Sequence, residues 1–230
     1  MLYAWIDGQK RAPLQKGERT SCRDCGGLLT SVIPVENTPH WRHRAGDCDT
    51  WSEPEGPWHL DWKEQFDISC REIALRDEAT GELHRADVLV NSLPKATVLE
   101  LQHSPISESE RIARESYYMV NHRMFWLVHV HNANSFLGYN FSMSLDFQTR
   151  PFEAYGRKFA VMNWIGSSKQ FIEKWKRSNA HVFFQAGPHI FYLVGAALAE
   201  RLGRPLGRGE FALSRLSHEE FVRAVHGRND

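Results

Sequence analysis

Leu83-His84-Arg85-Ala86-Asp87-Val88-Leu89-Val90 and, after the turn Asn91-Ser92-Leu93-Pro94-Lys95, Thr97-Val98-Leu99-Glu100-Leu101-Gln102 are the two stretches whose reading decides the fold. Both read as strands, rich in branched and apolar residues, and the Asn/Ser/Pro cluster between them reads as a turn. Each strand is interrupted by one acid, Asp87 or Glu100. A buried carboxylate without a partner costs several kcal/mol or takes up a proton, so each acid calls for a partner. A divalent cation can serve both at once. Adjacent strands in matching register would bring the two carboxylates together, and hard oxygen ligands with open positions suit Mg²⁺ or Mn²⁺. Two separate salt bridges, to Arg85, Arg111 or Arg114, are the alternative.

Working outward, Pro57 is placed to open a helix through Trp58, Trp62 and Phe66, and a strand is expected at about 69–75. Ser107-Glu108-Ser109-Glu110 has capping-box form and opens a helix to about Val120, and Met124–His131 is an apolar strand. The middle of the chain is therefore α, β, β, β, α, β: an α/β (α+β) mixed sheet with helices on its faces. Residues 158–194 add at least two strands, and Ser217-His218-Glu219-Glu220 caps a terminal helix. Three segments are expected: a small lobe at 1–52, the core at 53–150, and an α/β extension at 151–230 that contacts DNA or a partner.

Cys22-Arg23-Asp24-Cys25-Gly26-Gly27 has the form of a zinc knuckle, two thiolates bracketing a glycine-rich turn. His40-Trp41-Arg42-His43 and Cys48 offer three candidates for the two remaining places of a structural Zn²⁺ site. Cys22, Cys25, His43 and Cys48 are the preferred set, with His40 the alternate and a redox Cys pair the competing reading. Cys70 reads as a strand cysteine without chemistry.

With 42% hydrophobic and 24% charged residues, the 230-residue chain is not disordered. No apolar run approaches the roughly 18 residues needed to span a bilayer. Met1-Leu2-Tyr3-Ala4-Trp5-Ile6-Asp7 carries no basic leader, so a cytoplasmic protein with no membrane partner is expected. Lys plus Arg equals Asp plus Glu at 28 each, which argues against a uniformly basic nucleic-acid binder. The zero hides opposites: residues 53–150 hold 9 basic and 15 acidic side chains, residues 151–230 hold 12 and 7. An acidic metal-holding centre beside a basic phosphate-facing tail, including Lys174, Lys176, Arg177 and Arg201, gives such a distribution. A solvated helix face gives it equally.

Asp87 followed by Glu100-Leu101-Gln102 is similar to the skeleton of the restriction-endonuclease-like PD-(D/E)xK nucleases. There the acids hold the metal and a third residue, usually Lys, orients or deprotonates the attacking water. A longer series resembles the competence protein CoiA and its CoiA-like nuclease relatives. It comprises His40-Trp41-Arg42-His43, Cys48, Trp51-Ser52-Glu53, Trp58-His59 and Trp62-Lys63. It continues through His84-Arg85-Ala86-Asp87-Val88, Glu100-Leu101-Gln102-His103-Ser104-Pro105-Ile106-Ser107, Glu110-Arg111, Arg114-Glu115 and Tyr118, and so runs from about Cys22 to Val130.

The resemblance implies a Mg²⁺- or Mn²⁺-dependent DNA endonuclease or exonuclease, working in DNA uptake, recombination or defence against foreign DNA, with protein partners in that process. Asp87 and Glu100 would be the metal carboxylates, and Gln102 takes the place of the motif lysine. Glu55, four residues before His59, would complete the metal shell directly or through water. A neutral amide at 102 can hydrogen-bond but cannot act as a base or carry charge. Lys63, one helical turn from His59, is therefore expected to supply the cation, and His59 to meet the phosphate or its water. His59 could equally bond the backbone at the helix start. His103 and Ser104 lead into a helix N-terminus suited to phosphate. Arg111 and Arg114 form one stripe of that helix, either on the DNA backbone or fixing the acids. The missing lysine also allows a nuclease-fold DNA-binding or adaptor protein without turnover.

Overall fold

Every other residue of the strand that carries Asp87 is buried, which puts His84, Ala86, Val88 and Val90 on its core face and Arg85 and Asp87 on the other. The computed structural model describes residues 1–51, 55–92, 94–130 and 136–227. Ser52, Glu53, Leu93 and His131, which the sequence reading used, lie outside the described residues. The chain divides into two compact units, Met1–Leu89 and Val90–Asp230, so the division falls inside the segment expected at 53–150.

The first unit opens with the hairpin β1 (Ala4–Ile6) and β2 (Gln9–Arg11). Its Asp7-Gly8 turn has positive φ at both positions, 48° and 81°, as a two-residue hairpin turn requires. A small antiparallel sheet follows, β3 (Arg19–Ser21), β4 (Leu28–Val32) and β5 (His40–His43). Ala4, Cys22, Leu29 and Trp41 form its core. Helix α1 (Pro57–Lys63) starts at Gly56 with Pro57 in its first turn, where a missing N–H costs nothing. It ends sooner than the apolar pattern suggests: Gln65 and Phe66 bond three residues back, to the carbonyls of Trp62 and Lys63, so the chain tightens and turns. A 3₁₀ turn, Ile68–Cys70, leads into β6 (Arg71–Arg76), antiparallel to β7 (Leu83–Val90).

The second unit is a large mixed sheet with helices. Its elements are β8 (Thr97–Gln102), α2 (Glu108–Tyr118), β9 (Arg123–His129), α3 (Phe136–Ser144), β10 (Pro151–Ala154), β11 (Arg157–Asn163), α4 (Gln170–Lys176), β12 (His181–Ala186), β13 (His189–Leu193), α5 (Ala196–Arg201), β14 (Glu210–Leu216) and α6 (His218–Val225). The strands run in the order β10-β11-β14-β13-β12-β9-β8. β8, β9 and β12 are parallel, with Glu100 opposite Trp126 and Gln102 opposite Val128, and the remaining pairs are antiparallel. Parallel β8 and β9 need a crossover, and α2 provides it. Ser107 accepts the Glu110 N–H at 3.1 Å to start α2, and the Ser217–Glu220 capping box of α6 closes in both directions.

The protein is thus a mixed α+β fold, and the order α1-β6-β7-β8-α2-β9 is the one the sequence predicts. Helix α3 was not legible. Phe-Leu-Gly-Tyr-Asn-Phe-Ser-Met-Ser has neither charges nor a polar face. Packing sustains it, with the Phe141 ring 5.5 Å from Phe184 and 5.9 Å from Phe191. Strand β14 was also unread, since its apolar residues gain a strand's hydrogen bonds only from β11 and β13.

Candidate functional site

Cys22, Cys25, His43 and Cys48 converge, their ligand atoms all within 4.8 Å of one another. The knuckle folds as its glycines allow. Gly26 donates to the Cys22 carbonyl at 2.8 Å, Cys22 donates to the Gly27 carbonyl at 2.8 Å, and the Gly27 N–H points at the Cys25 sulfur at 3.3 Å. A Cβ on Gly27 would stand 3.1 Å from that sulfur, so a side chain there would crowd the cluster. Strand alternation decides between the histidines. Trp41 and His43 share the buried face of β5, while His40 lies on the opposite face and bonds the Thr38 carbonyl through Nδ1 at 3.0 Å.

His43 Nε2 lies 3.5 Å from the Cys25 sulfur, and its Nδ1 lies 3.5 Å from Asp47. An outward nitrogen on a carboxylate is the orientation a metal-binding histidine uses. Burial lowers the His43 pKa and raises the Cys22 thiol, and it pushes Cys48 up to about 12 against the opposing pull of Arg85. Three thiols, of which Cys22 is buried and Cys25 exposed, and an imidazole whose pKa burial lowers are a donor set that fits zinc, which would displace the thiol protons. Arg85 ties the cluster to β7 through Asp24 at 2.9 Å and the Cys48 sulfur at 3.4 Å. His84 does the same through Asp49 at 2.9 Å.

A second centre forms around Lys63, at the last turn of α1 and fully buried. Its ammonium lies 2.5 Å from Glu55, 3.0 Å from Asp87 and 3.1 Å from Glu72. The β6–β7 register explains part of this convergence. Arg71 pairs with Val88 and Ile73 with Ala86, so Glu72 stands across from Asp87. Glu72 was missed by the sequence reading, because between Arg71 and Ile73 it looks like an ordinary solvent-facing strand residue. Its backbone takes φ 47°, a left-handed conformation costing about 1 kcal/mol or more. Its carboxylate also accepts Leu2 N–H at 2.8 Å and Tyr3 N–H at 3.1 Å.

Three carboxylates face one ammonium. Burial, together with the charges of Glu72 and Asp87, pushes Glu55 up to about 8 despite Lys63. Burial also opposes the charge on Glu72, but Lys63 outweighs it and holds that carboxyl well below its usual range. Burial works against the Lys63 charge too, yet Asp87, Glu55 and Glu72 raise its pKa well above the ordinary lysine value. A lysine so held stays an ammonium and does not serve as a base. His59, on the same helix, is buried and receives the Gly56 N–H at 3.5 Å.

In the second unit, Glu100 is buried on β8 and paired with Arg114 at 3.1 Å. Arg114 also reaches Glu110 at 2.6 Å. The stripe of α2 therefore fixes an acid, one of the two roles open to it. Arg111 points inward. It is 1% exposed and pairs with Glu115 at 2.6 Å, and Glu115 also accepts Trp126 Nε1–H at 3.1 Å and the Ser178 hydroxyl at 2.6 Å. Expected on the DNA backbone or on the acids, Arg111 instead packs α2 onto β9. Gln102 is buried and donates to the Ser104 carbonyl at 2.9 Å. His103 is half-buried, its ring 5.1 Å from that of His129, and Ser104 is exposed.

Among the described residues, no helix is long and apolar enough to cross a membrane. Residues 81–173 match the family model described as competence protein CoiA, nuclease-like domain. The match begins C-terminal to the Cys/His lobe and extends past Val130. It takes in Asp87, Glu100 and Gln102 and leaves out Glu55, His59, Lys63 and Glu72. It points to a nuclease-like function connected with competence, and with it to nucleic acid. No curated protein and no solved structure matches the chain.

Proposed function

We propose that this protein is a metal-dependent DNA nuclease that hydrolyses phosphodiester bonds, working on incoming, recombining or foreign DNA in the cytoplasm. The observation that carries the reading is the cluster of Glu55, Glu72 and Asp87 around the buried ammonium of Lys63. Its three carboxylates are hard oxygen donors of the kind that Mg²⁺ or Mn²⁺ takes. Asp87 would bind the metal, and Glu100, on the next strand of the motif, would be the second carboxylate, with Glu55 completing the shell. A divalent ion so held would lower the pKa of a bound water.

The chain's own groups divide the remaining work. Lys63 supplies the positive charge that Gln102 lacks and keeps the carboxylates oriented. Gln102 positions rather than ionises. Arg114 holds Glu100, while His103 and Ser104 meet the DNA backbone, and the 151–230 extension contacts DNA or a protein partner. His59 orders the start of α1, from which it would reach the phosphate or its water. Zinc at Cys22, Cys25, His43 and Cys48 is structural and keeps Arg85, and with it the strand carrying Asp87, in place.

A second reading has its own support. Asp87 and Glu100 each already have a protein cation, Lys63 and Arg114, and the motif lysine is absent. This arrangement suits a nuclease fold that binds DNA without cutting it. Single-stranded, duplex, nicked and branched DNA should be incubated with the protein in Mg²⁺ or Mn²⁺, beside a metal-free control and Asp87→Ala. Cleavage that needs the metal and Asp87 supports the nuclease. Cleavage that survives Asp87→Ala removes the assignment, and binding without cleavage on every substrate selects the second reading.

A further inference from the structure

A cavity of about 600 Å³ in the second unit carries four arginines: Arg123 from β9, Arg157 from β11, Arg201 from α5 and Arg223 from α6. This volume falls within the usual span of small-molecule sites, roughly 300–1,000 Å³. One lining acid, Glu220, stands 3.7 Å from Arg157. Arg123 is held by neutral acceptors, the Thr97 hydroxyl at 2.9 Å and the Ala224 carbonyl at 3.0 Å, so its charge is not cancelled there. Positive charge therefore exceeds negative by about three in one concave space, which raises the local concentration of anions. Its effect is felt by His181: burial first, then Arg123 and Arg201, push that imidazole's pKa down.

The floor of the same cavity is aromatic. Phe125 and Phe183 stand with ring centroids 5.2 Å apart, and Tyr192 stacks on Phe183 at 4.9 Å. His181 meets Phe125 at 5.0 Å and bonds the Tyr192 hydroxyl at 3.0 Å. At the rim Tyr155 is 75% exposed, and it sits on a turn with φ 50°. Arginines suit phosphate, which they can grip through two parallel N–H bonds. Aromatic faces suit a base, by stacking.

We propose that this cavity is a binding site for a phosphorylated nucleotide, its phosphate on Arg201 and Arg223 and its base against Tyr155 and Tyr192, which the buried rings of Phe125 and Phe183 support. The ligand chemistry is shared by a free nucleotide and by the 5′-phosphorylated end of a DNA strand. The site is independent of Asp87, so it stands or falls separately from the nuclease reading. It also gives two basic residues of the 151–230 segment, Arg201 and Arg223, a specific use. By contrast, Lys176 bonds the Gly207 and Glu210 carbonyls, Arg177 pairs with Glu108, and Lys174 bonds the Ile106 carbonyl.

Binding is measured by calorimetry on the full chain without added divalent ions, so that nothing is cleaved. The ligands are a nucleoside monophosphate and triphosphate, the bare nucleoside, inorganic pyrophosphate, and tetranucleotides with a 5′-phosphate or a 5′-hydroxyl. Nucleotide or 5′-phosphorylated strand should bind at least tenfold tighter than nucleoside or pyrophosphate. Arg201→Gln with Arg223→Gln should weaken that binding at least tenfold. Both side chains are exposed, and circular dichroism checks that the fold is kept. Tyr155→Ala should weaken nucleotide binding while leaving pyrophosphate unchanged. Tighter binding of the free nucleotide identifies it as the ligand, and tighter binding of the phosphorylated tetramer identifies the strand end. Three results overturn the proposal: no ligand binds at millimolar concentration, pyrophosphate binds as tightly as nucleotide, or the double arginine variant binds like the parent.

Discussion

Replacing Lys63 with Met removes the ammonium and keeps the length of its buried stem. In the parent, that ammonium lies between 2.5 and 3.1 Å from Glu55, Asp87 and Glu72. A unit charge pair near 3 Å is worth about 5 kcal/mol at an effective dielectric of about 20. Losing such attractions would cost more than neutralising one acid, so the variant takes up one proton instead. Neutralising a carboxylate of ordinary pKa near 4 at pH 7 costs about 4 kcal/mol, at about 1.4 kcal/mol per pH unit. This caps the loss near the 3–5 kcal/mol found when one partner of a buried ion pair is removed. The acid that takes up this proton has a folded pKa above its unfolded one. Its favourable contribution is therefore complete below the unfolded pKa and is lost as pH rises. Urea unfolding of parent and Lys63→Met, without added divalent ions, should show a deficit of about 4 kcal/mol at pH 7 that shrinks by about 1.4 kcal/mol at pH 6. Mg²⁺ at 100 times its Kd should restore about 2.7 kcal/mol. A deficit below about 1 kcal/mol at pH 7, or one independent of pH, would refute the picture of Lys63 as the cation that holds three acids together.

Glu55 carries a pH signature of its own. Its folded pKa, about 8, is above the ordinary 4.5, so its stabilising contribution is present below 4.5 and lost as pH rises towards 8. Glu55→Gln should flatten the parent's decline in that window, by up to about 1.4 kcal/mol per pH unit, and parallel stability curves would show that Glu55 does not hold the proton. Cys48→Ser should lower the zinc content measured by plasma mass spectrometry and open residues 1–89 to proteolysis. Full zinc content in that variant would exclude Cys48 as a ligand. Arg111→Gln should cost about 3–5 kcal/mol in urea unfolding while leaving the salt dependence of DNA binding unchanged. Unchanged stability with a salt slope reduced by about one would return Arg111 to a phosphate contact.

Much of the fold was legible where local patterns are strong. The strands at 83–90 and 97–102 match the structure end to end, because an alternating run, a branched apolar run and a Pro-containing stretch between them leave little freedom. Ser107 and Ser217 marked helix starts because a side chain that accepts an N–H three residues on works through local geometry alone. Helix α3 and strand β14 escaped because their residues carry no periodic signal, and their hydrogen bonds and packing come from distant segments.

The sequence by itself marked out the Cys/His set at 22, 25, 43 and 48, whose ligand atoms converge, and named the acids at 55, 87 and 100 and the amide at 102 as candidates. Ligand identity is a matter of side-chain chemistry, and that is written directly in the residues. Only the tertiary structure decided which of them share a charge. The β6–β7 register set Glu72 across from Asp87, the carboxylates of Asp87, Glu55 and Glu72 held Lys63 as an ammonium against its burial, and the inward turn of Arg111 took it away from the surface. The arginine cavity likewise draws its four arginines from two strands and two helices far apart in the chain. Electrostatic energy depends on distance and burial in space, and neither quantity exists until the chain has folded.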